Sequence, residues 1–140
     1  MKAISLWQPW AALWIAPNAK IHETRSWPTK HRGELAVHAA KHPEEPLLPS
    51  AAMCAADILR DRLPLAYGAV IGVIDLIDCL PTSAGPASQA DQLFGNWSPG
   101  RFAWMRGPFI YVLENPVACR GYQGIWTLDS DAESRIREQM

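Results

Sequence analysis

The chain is short of cysteine, of charge and of long apolar runs, and each shortage closes off a class of protein. Cys54, Cys79 and Cys119 are odd in number, widely spaced and free of any C-x-x-C pattern. They exclude a disulfide framework and a zinc module and suit a reducing, cytoplasmic setting. The apolar stretch after Lys2 is broken at Gln8-Pro9 and ends by Ala16, too short to span a bilayer. It reads as core, with no membrane role expected. Charged residues make up 19% of the chain and the net charge is −1, which argues against a generic polyanion binder. Internal repeats and low-complexity tracts are missing as well.

What is present is enough apolar material for one core. With 140 residues, 49% of them hydrophobic, the chain is expected to form a single domain over 1–140, with a core from 1 to 128 and a terminal helix at about 130–139. The polar chemistry is concentrated. Residues 20–42 hold five Lys/Arg, two Asp/Glu and all four histidines, a formal +3 set against −4 for the rest. Contact with nucleic acid would therefore be local and shaped.

In chain order, Ala3 to Trp7 suits a buried strand, and Pro9 is placed to open a Trp-rich helix from Trp10 to Ala16. On a strand over 20–25, Lys20, His22 and Thr24 share one face while Ile21, Glu23 and Arg25 share the other. Both faces carry polar groups. Glu23 and Arg25 either pair with each other or meet a ligand together with Lys20. The Pro- and Gly-punctuated segment 26–33 reads as a basic loop with an aromatic, Trp27, beside Arg32. Cations for phosphate and a ring for a base are what a nucleotide needs. Trp7, Trp10 and Trp14 serve either as core or as a stacking wall.

A strand over 34–39 follows, with His38 opposite in face to Leu35 and Val37, and Lys41 just past its end. His38 and His42 lack a carboxylate or Cys at ligand spacing, so no metal is expected. Ser50 is placed to cap a helix to about Leu63 with Ala52, Ala56, Leu59 and Leu63 as its stripe. Residues 67–80 form a β-rich run that two glycines should bend, as in a small barrel. Asp75 and Asp78 fall on opposite faces of it. Residues 81–100 read as a long loop of functional length. Two strands paired across a Gly107-Pro108 turn, a further strand over 124–128, and a helix started by a Ser130–Glu133 capping box complete the expectation.

Several stretches together resemble the ASCH domain family of the PUA-like superfamily. They are Ile4-Ser-Leu-Trp-Gln-Pro-Trp10, Lys20-x-x-Glu-Thr-Arg-x-Trp27, Arg32-Gly33 with Leu35-x-x-His-x-x-Lys41, Gly72-x-x-Asp75, and Trp97-Ser-Pro-Gly-Arg-Phe-Ala-Trp104. The resemblance runs from residue 1 to about 128 in order. It implies an α+β fold: a small, partly open β-barrel of five to six strands with flanking helices and a cleft facing single-stranded RNA or a nucleotide-like ligand. For this chain it implies a cleft of Trp10, Lys20, Glu23, Thr24, Arg25, His38 and the loop from Trp97 to Arg101. Trp27, Arg32, Lys41, Asp75 and Arg101 join as further binding residues, and no cofactor is implied.

Three functions follow from that resemblance. The first is RNA or nucleotide binding with weak, metal-independent cleavage, in which Lys20, Glu23 and Ser98 carry the chemistry. The second is amidohydrolysis of modified nucleosides such as N4-acetylcytidine. Members of that type have a Lys, a Thr three residues later and a carboxylate on a later strand. Here Lys20 matches and Asp75 is the candidate carboxylate, but Glu23 stands in the Thr position, with Thr24 one residue on, so a carboxylate replaces the hydroxyl. The third is a non-catalytic interaction module.

Overall fold

A computed structural model describes residues 1–17 and 19–140. Its centre is a six-stranded sheet in the order β2-β5-β4-β3-β1-β6. The strands are β1 (Lys2–Leu6), β2 (His22–Arg25), β3 (Gly33–Ala39), β4 (Ala69–Pro81), β5 (Phe102–Ala118) and β6 (Ile125–Thr127). Among the described residues only β1 and β3 run parallel; the other pairings are antiparallel. The sheet is curled and open, with β2 and β6 as its edges, and four helices flank it: α1 (Trp10–Ile15), α2 (Pro49–Leu59), α3 (Gln89–Leu93) and α4 (Ser130–Arg137). The expected α+β, partly open barrel is the fold observed.

The two-residue alternation of the strands builds two cores. Ile4, Leu35, Val37, Ile71 and Ile74 point to one face, where α1 contributes Leu13, Trp14 and Ile15. Ala3, Ala36, Val70 and Val73 point to the other, where Ala132 and Ile136 of α4 cover them. Curling demands close backbone approach at Gly72, where a Cβ would stand 2.8 Å from the Tyr111 carbonyl oxygen and 3.1 Å from the Ile15 side chain. Glycine alone fits there. Buried Arg106 ties α1 to the sheet: its Nε donates to the Trp14 carbonyl at 2.6 Å and its Nη2 to the Ala16 carbonyl at 3.3 Å. Those are carbonyls that the end of a helix leaves without partners.

Several local expectations are corrected. Gly107-Pro108 is no turn, because β5 runs unbroken for 17 residues. Ile110 pairs with Ile74 and Arg106 with Leu76, so residues 107–109 bulge opposite Asp75. A bulge is where a strand accepts proline, since no ladder N–H is needed there. The loop 81–100 contains a 3-10 turn at Thr82–Ala84 and the short helix α3, capped by Ser88, whose side chain accepts from the Asp91 N–H.

The other two corrections concern helix starts. Helix α2 begins at Pro49 with Leu48 in the cap position and no side-chain cap, and it buries Ala51, Ala55 and Leu59. Proline, with its φ already set for a helix and no N–H to leave unpaired, opens the helix one residue before the expected Ser50 cap. The expected stripe members Ala52, Ala56 and Leu63 instead line a shallow groove with Leu47 and Leu65. Helix α4 is capped by Asp129, whose carboxylate accepts from the Ala132 N–H at 2.8 Å. Glu133 is thereby free to bind the Met1 amino group and Arg137.

Candidate functional site

Edge strand β2 is buried on both faces, although every side chain on it is polar. Two carboxylates make that possible. On one side, Asp91 of α3 is fully buried and accepts from the backbone N–H groups of Ile21 and His22, both at 2.8 Å, with His22 Nδ1 at 3.2 Å. Burial would push the Asp91 carboxyl up, but the bonds from the His22 side chain and from the two N–H groups outweigh it and hold it below the usual value. The same loop fixes Thr24, whose Oγ1 accepts from the Asn96 N–H at 2.8 Å, and Arg101 donates to the Thr24 carbonyl at 3.3 Å.

On the other side lies Glu23. Its Oε1 meets Lys20 Nζ at 2.5 Å, and its Oε2 faces Arg25 Nη1 at 3.6 Å. Lys20 precedes the first strand residue, so strict alternation does not bind it and it folds back to the Glu23 side, its ammonium 5.6 Å from the centre of the Trp10 ring. Lys20 is 1% exposed, whereas the Arg25 side chain keeps 28% of its surface open and lies 5.8 Å from the Trp27 ring centre. One carboxylate thus serves two cations, and the surplus positive charge sits at the solvent side.

Three cavities open around these residues. One of about 330 Å³ is lined by Trp10, Glu23, Thr24, Arg25, Asn96 and Arg101, and the Arg101 Nε there is buried without a partner. The second, about 590 Å³, shares Trp10, Glu23 and Arg25 with it and adds Ser5, Trp7, Trp27 and Tyr122. The third, about 990 Å³, shares Ser5 and Tyr122 with the second and contains His38, Lys41 and Arg120. Shared lining residues set the three side by side, and together they form a trough.

The structure therefore groups Trp10, Lys20, Glu23, Thr24, Arg25, Trp27 and Arg101, and places His38 and Lys41 farther along the same trough. Ser98, Arg32 and Asp75 lie elsewhere. Ser98 is exposed, and its carbonyl accepts from the Thr82 hydroxyl. Arg32 is 3.7 Å from Asp78, and Asp75 stands opposite Glu34 in the β3–β4 ladder. Sequence reasoning missed Asp91, Ser5 and Tyr122. Asp91 was hidden in an apparent loop, where only Ser88 three residues before it hinted at a helix start.

A curled, open six-stranded sheet flanked by four helices, with a trough beside the edge strand, defines the class as an α+β half-barrel domain. Two single-substitution variants of an ASCH protein from Zymomonas mobilis share this fold, with TM-scores of 0.55 and 0.56 at 13% and 14% identity. The matches cover 98% of this chain and 96% and 94% of theirs. In sequence, the chain is 30% identical over 138 residues to activating signal cointegrator 1 of Homo sapiens and of Mus musculus, covering 91% of this chain. It spans 22% of the length of each of those relatives. No family model matches. The chain is an ASCH-domain protein.

Two titrations follow from this geometry. The Asp91 pKa is depressed in the fold, so its contribution is present above the ordinary value of 3.8 and is lost as pH falls toward the folded value. Burial lowers the His38 pKa from 6.5, so an unfolded chain takes up a proton that the fold refuses, and stability also declines as pH drops below that point. Asp91→Asn is expected to cost about 1–3 kcal/mol at pH 7 and to flatten the acid limb below pH 4, read by urea denaturation across pH. A variant with wild-type midpoints at every pH would show that Asp91 does not hold β2.

Proposed function

We propose that the trough binds single-stranded RNA or a nucleotide-like ligand. The observation that carries this reading is the pairing of Arg25 and Trp27 over a cavity shared with Trp7, Trp10 and Tyr122. Aromatic faces accept bases without demanding a sequence, and a cation beside them meets the phosphate. Support comes also from Arg101, whose partnerless buried Nε leaves a donor for a ligand oxygen, and from Lys41 and Arg120 farther along. These cations line the trough of a chain whose net charge is −1. Binding is then local, as the composition requires.

A second reading is hydrolysis, favoured by the buried Lys20–Glu23 pair beneath Trp10. An ammonium held against a carboxylate that lines the cavity is equipment for general acid–base work on a nucleoside amide or a phosphodiester. Release of cytidine from N4-acetylcytidine, or cleavage of an oligoribonucleotide in the presence of chelator, is its readout. Absence of both products at high protein concentration leaves binding alone.

For binding, Arg25→Ala is expected to weaken capture of a single-stranded oligoribonucleotide about tenfold and to make the salt dependence shallower by about 0.7 in log–log slope. Trp27→Ala should lose about 1–3 kcal/mol with the slope unchanged. Fluorescence anisotropy at several salt concentrations measures both. Wild-type affinity and slope in both variants would remove the trough as the binding surface.

A further inference from the structure

The third cavity holds a serine and a histidine that the proposed binding does not use. Ser5 Oγ stands 3.0 Å from His38 Nδ1, and His38 Nε2 stands 2.9 Å from the Cys119 carbonyl oxygen. A carbonyl only accepts, so the proton of the neutral ring resides on Nε2 and Nδ1 presents its lone pair. The Ser5 hydroxyl must then donate to it. Ser5 and His38 are register partners across β1 and β3, and a hydrogen bond between such neighbours would by itself signify little. Two further features give it direction. The carbonyl on the far nitrogen holds the ring in the one tautomer and orientation in which it draws a proton from a hydroxyl, which is the part an orienting third group plays beside a serine–histidine pair. The pair also borders a cavity of about 990 Å³, and the backbone beside it is a glycine: a Cβ on Gly121 would stand 2.5 Å from Ser5 Oγ and 2.8 Å from His38 Nδ1, so any side chain there would cover the pair.

We propose that Ser5 is a nucleophile and His38 its general base for acyl transfer from a small carboxylic ester that carries an anionic group. The anionic preference follows from the walls. Lys41 and Arg120 line the cavity and, among the described residues, no Asp or Glu does. Ser5 Oγ attacks the ester carbonyl carbon while its proton passes to His38 Nδ1. The carbon–oxygen bond to the leaving alcohol breaks, and the alcohol departs with that proton. Water then attacks the acyl-serine, His38 takes a proton from it and returns one to Ser5 Oγ, so ester and water become acid and alcohol. The Arg120 guanidinium and the Gln123 amide, both on the cavity wall, are donors available to the oxyanion of each step. Burial keeps His38 in the neutral form that a base needs at pH 7. With a carbonyl in place of a carboxylate behind the histidine, turnover is slow and trapping is the better assay.

The test is incubation of the folded full chain with a fluorophosphonate, which an activated serine displaces at phosphorus with loss of fluoride, followed by intact-mass and peptide analysis. The expected result is a single adduct on the peptide holding Ser5, absent in Ser5→Ala and retained in Ser50→Ala, an exposed serine on α2. Labelling of wild type should slow as pH falls through the His38 pKa, which burial holds below the ordinary 6.5. Among the cavity residues, Cys119 and Tyr67 are pushed up by burial, Lys41 and Arg120 are cations, and the carboxylates felt nearby, Asp129 and Glu44, lie outside the wall, leaving His38 to titrate there. This profile reads His38 without a variant that risks unfolding. In a parallel arm, 4-nitrophenyl hemisuccinate should be cleaved with a kcat/KM about tenfold above that for 4-nitrophenyl acetate, and only when Ser5 is present. No adduct at Ser5, labelling scattered over exposed serines, a rate flat from pH 5 to 8, or no preference for the anionic ester would overturn the assignment. None of these readouts involves RNA, so they stand apart from the binding reading.

Discussion

One carboxylate shared by two cations governs the site. Glu23 neutralises Lys20, which has almost no access to water, and its second oxygen faces Arg25, which does. An ammonium taken out of water without a counter-charge costs several kcal/mol, so the fold tolerates Lys20 only because Glu23 comes with it. Arg25 is then the cation that remains for a ligand. Its position follows from the chain: a residue two along from Glu23 on a strand shares its face, and Trp27 lies where its ring meets the guanidinium.

The opposite face of β2 is held in another way. Asp91 gathers two backbone N–H groups and a histidine, which fastens the start of an edge strand that has only β5 as a neighbour. The Asn96 bond to Thr24 and the Arg101 bond to its carbonyl continue the attachment into the following loop. An edge strand is the part of a sheet that is freest to fray or pair wrongly. Here it is clamped by side chains, and that rigidity is what keeps Arg25 and Trp27 aimed at one cavity.

Much of the frame was legible because it rests on short-range pattern. The apolar alternation of 34–39, the β-rich run of 67–80, the Pro9 helix start and the polar two-faced strand around Glu23 all follow from local rules. What was not legible depends on partners far along the chain. Gly107-Pro108 looks like a turn until β4 is present to bulge against, and Asp91 looks like a loop residue until Ile21 and His22, some 70 residues earlier, offer it their N–H groups. Alternation puts Lys20 on the face away from Glu23, but it precedes the first strand residue, where alternation no longer holds. Ser98, Arg32 and Asp75 entered through resemblance or composition alone, and the structure sets each of them apart from the trough.

The central claim is that Lys20 and Glu23 depend on each other, and a double-mutant cycle tests it most directly. Urea denaturation at pH 7 of Lys20→Met, Glu23→Gln and the double variant gives the coupling. Each single change should destabilise by about 3–5 kcal/mol by stranding a buried charge, while the double variant should fall short of their sum by at least about 2 kcal/mol. Losses that simply add would mean that the two groups are solvated independently and that Glu23 does not organise the site.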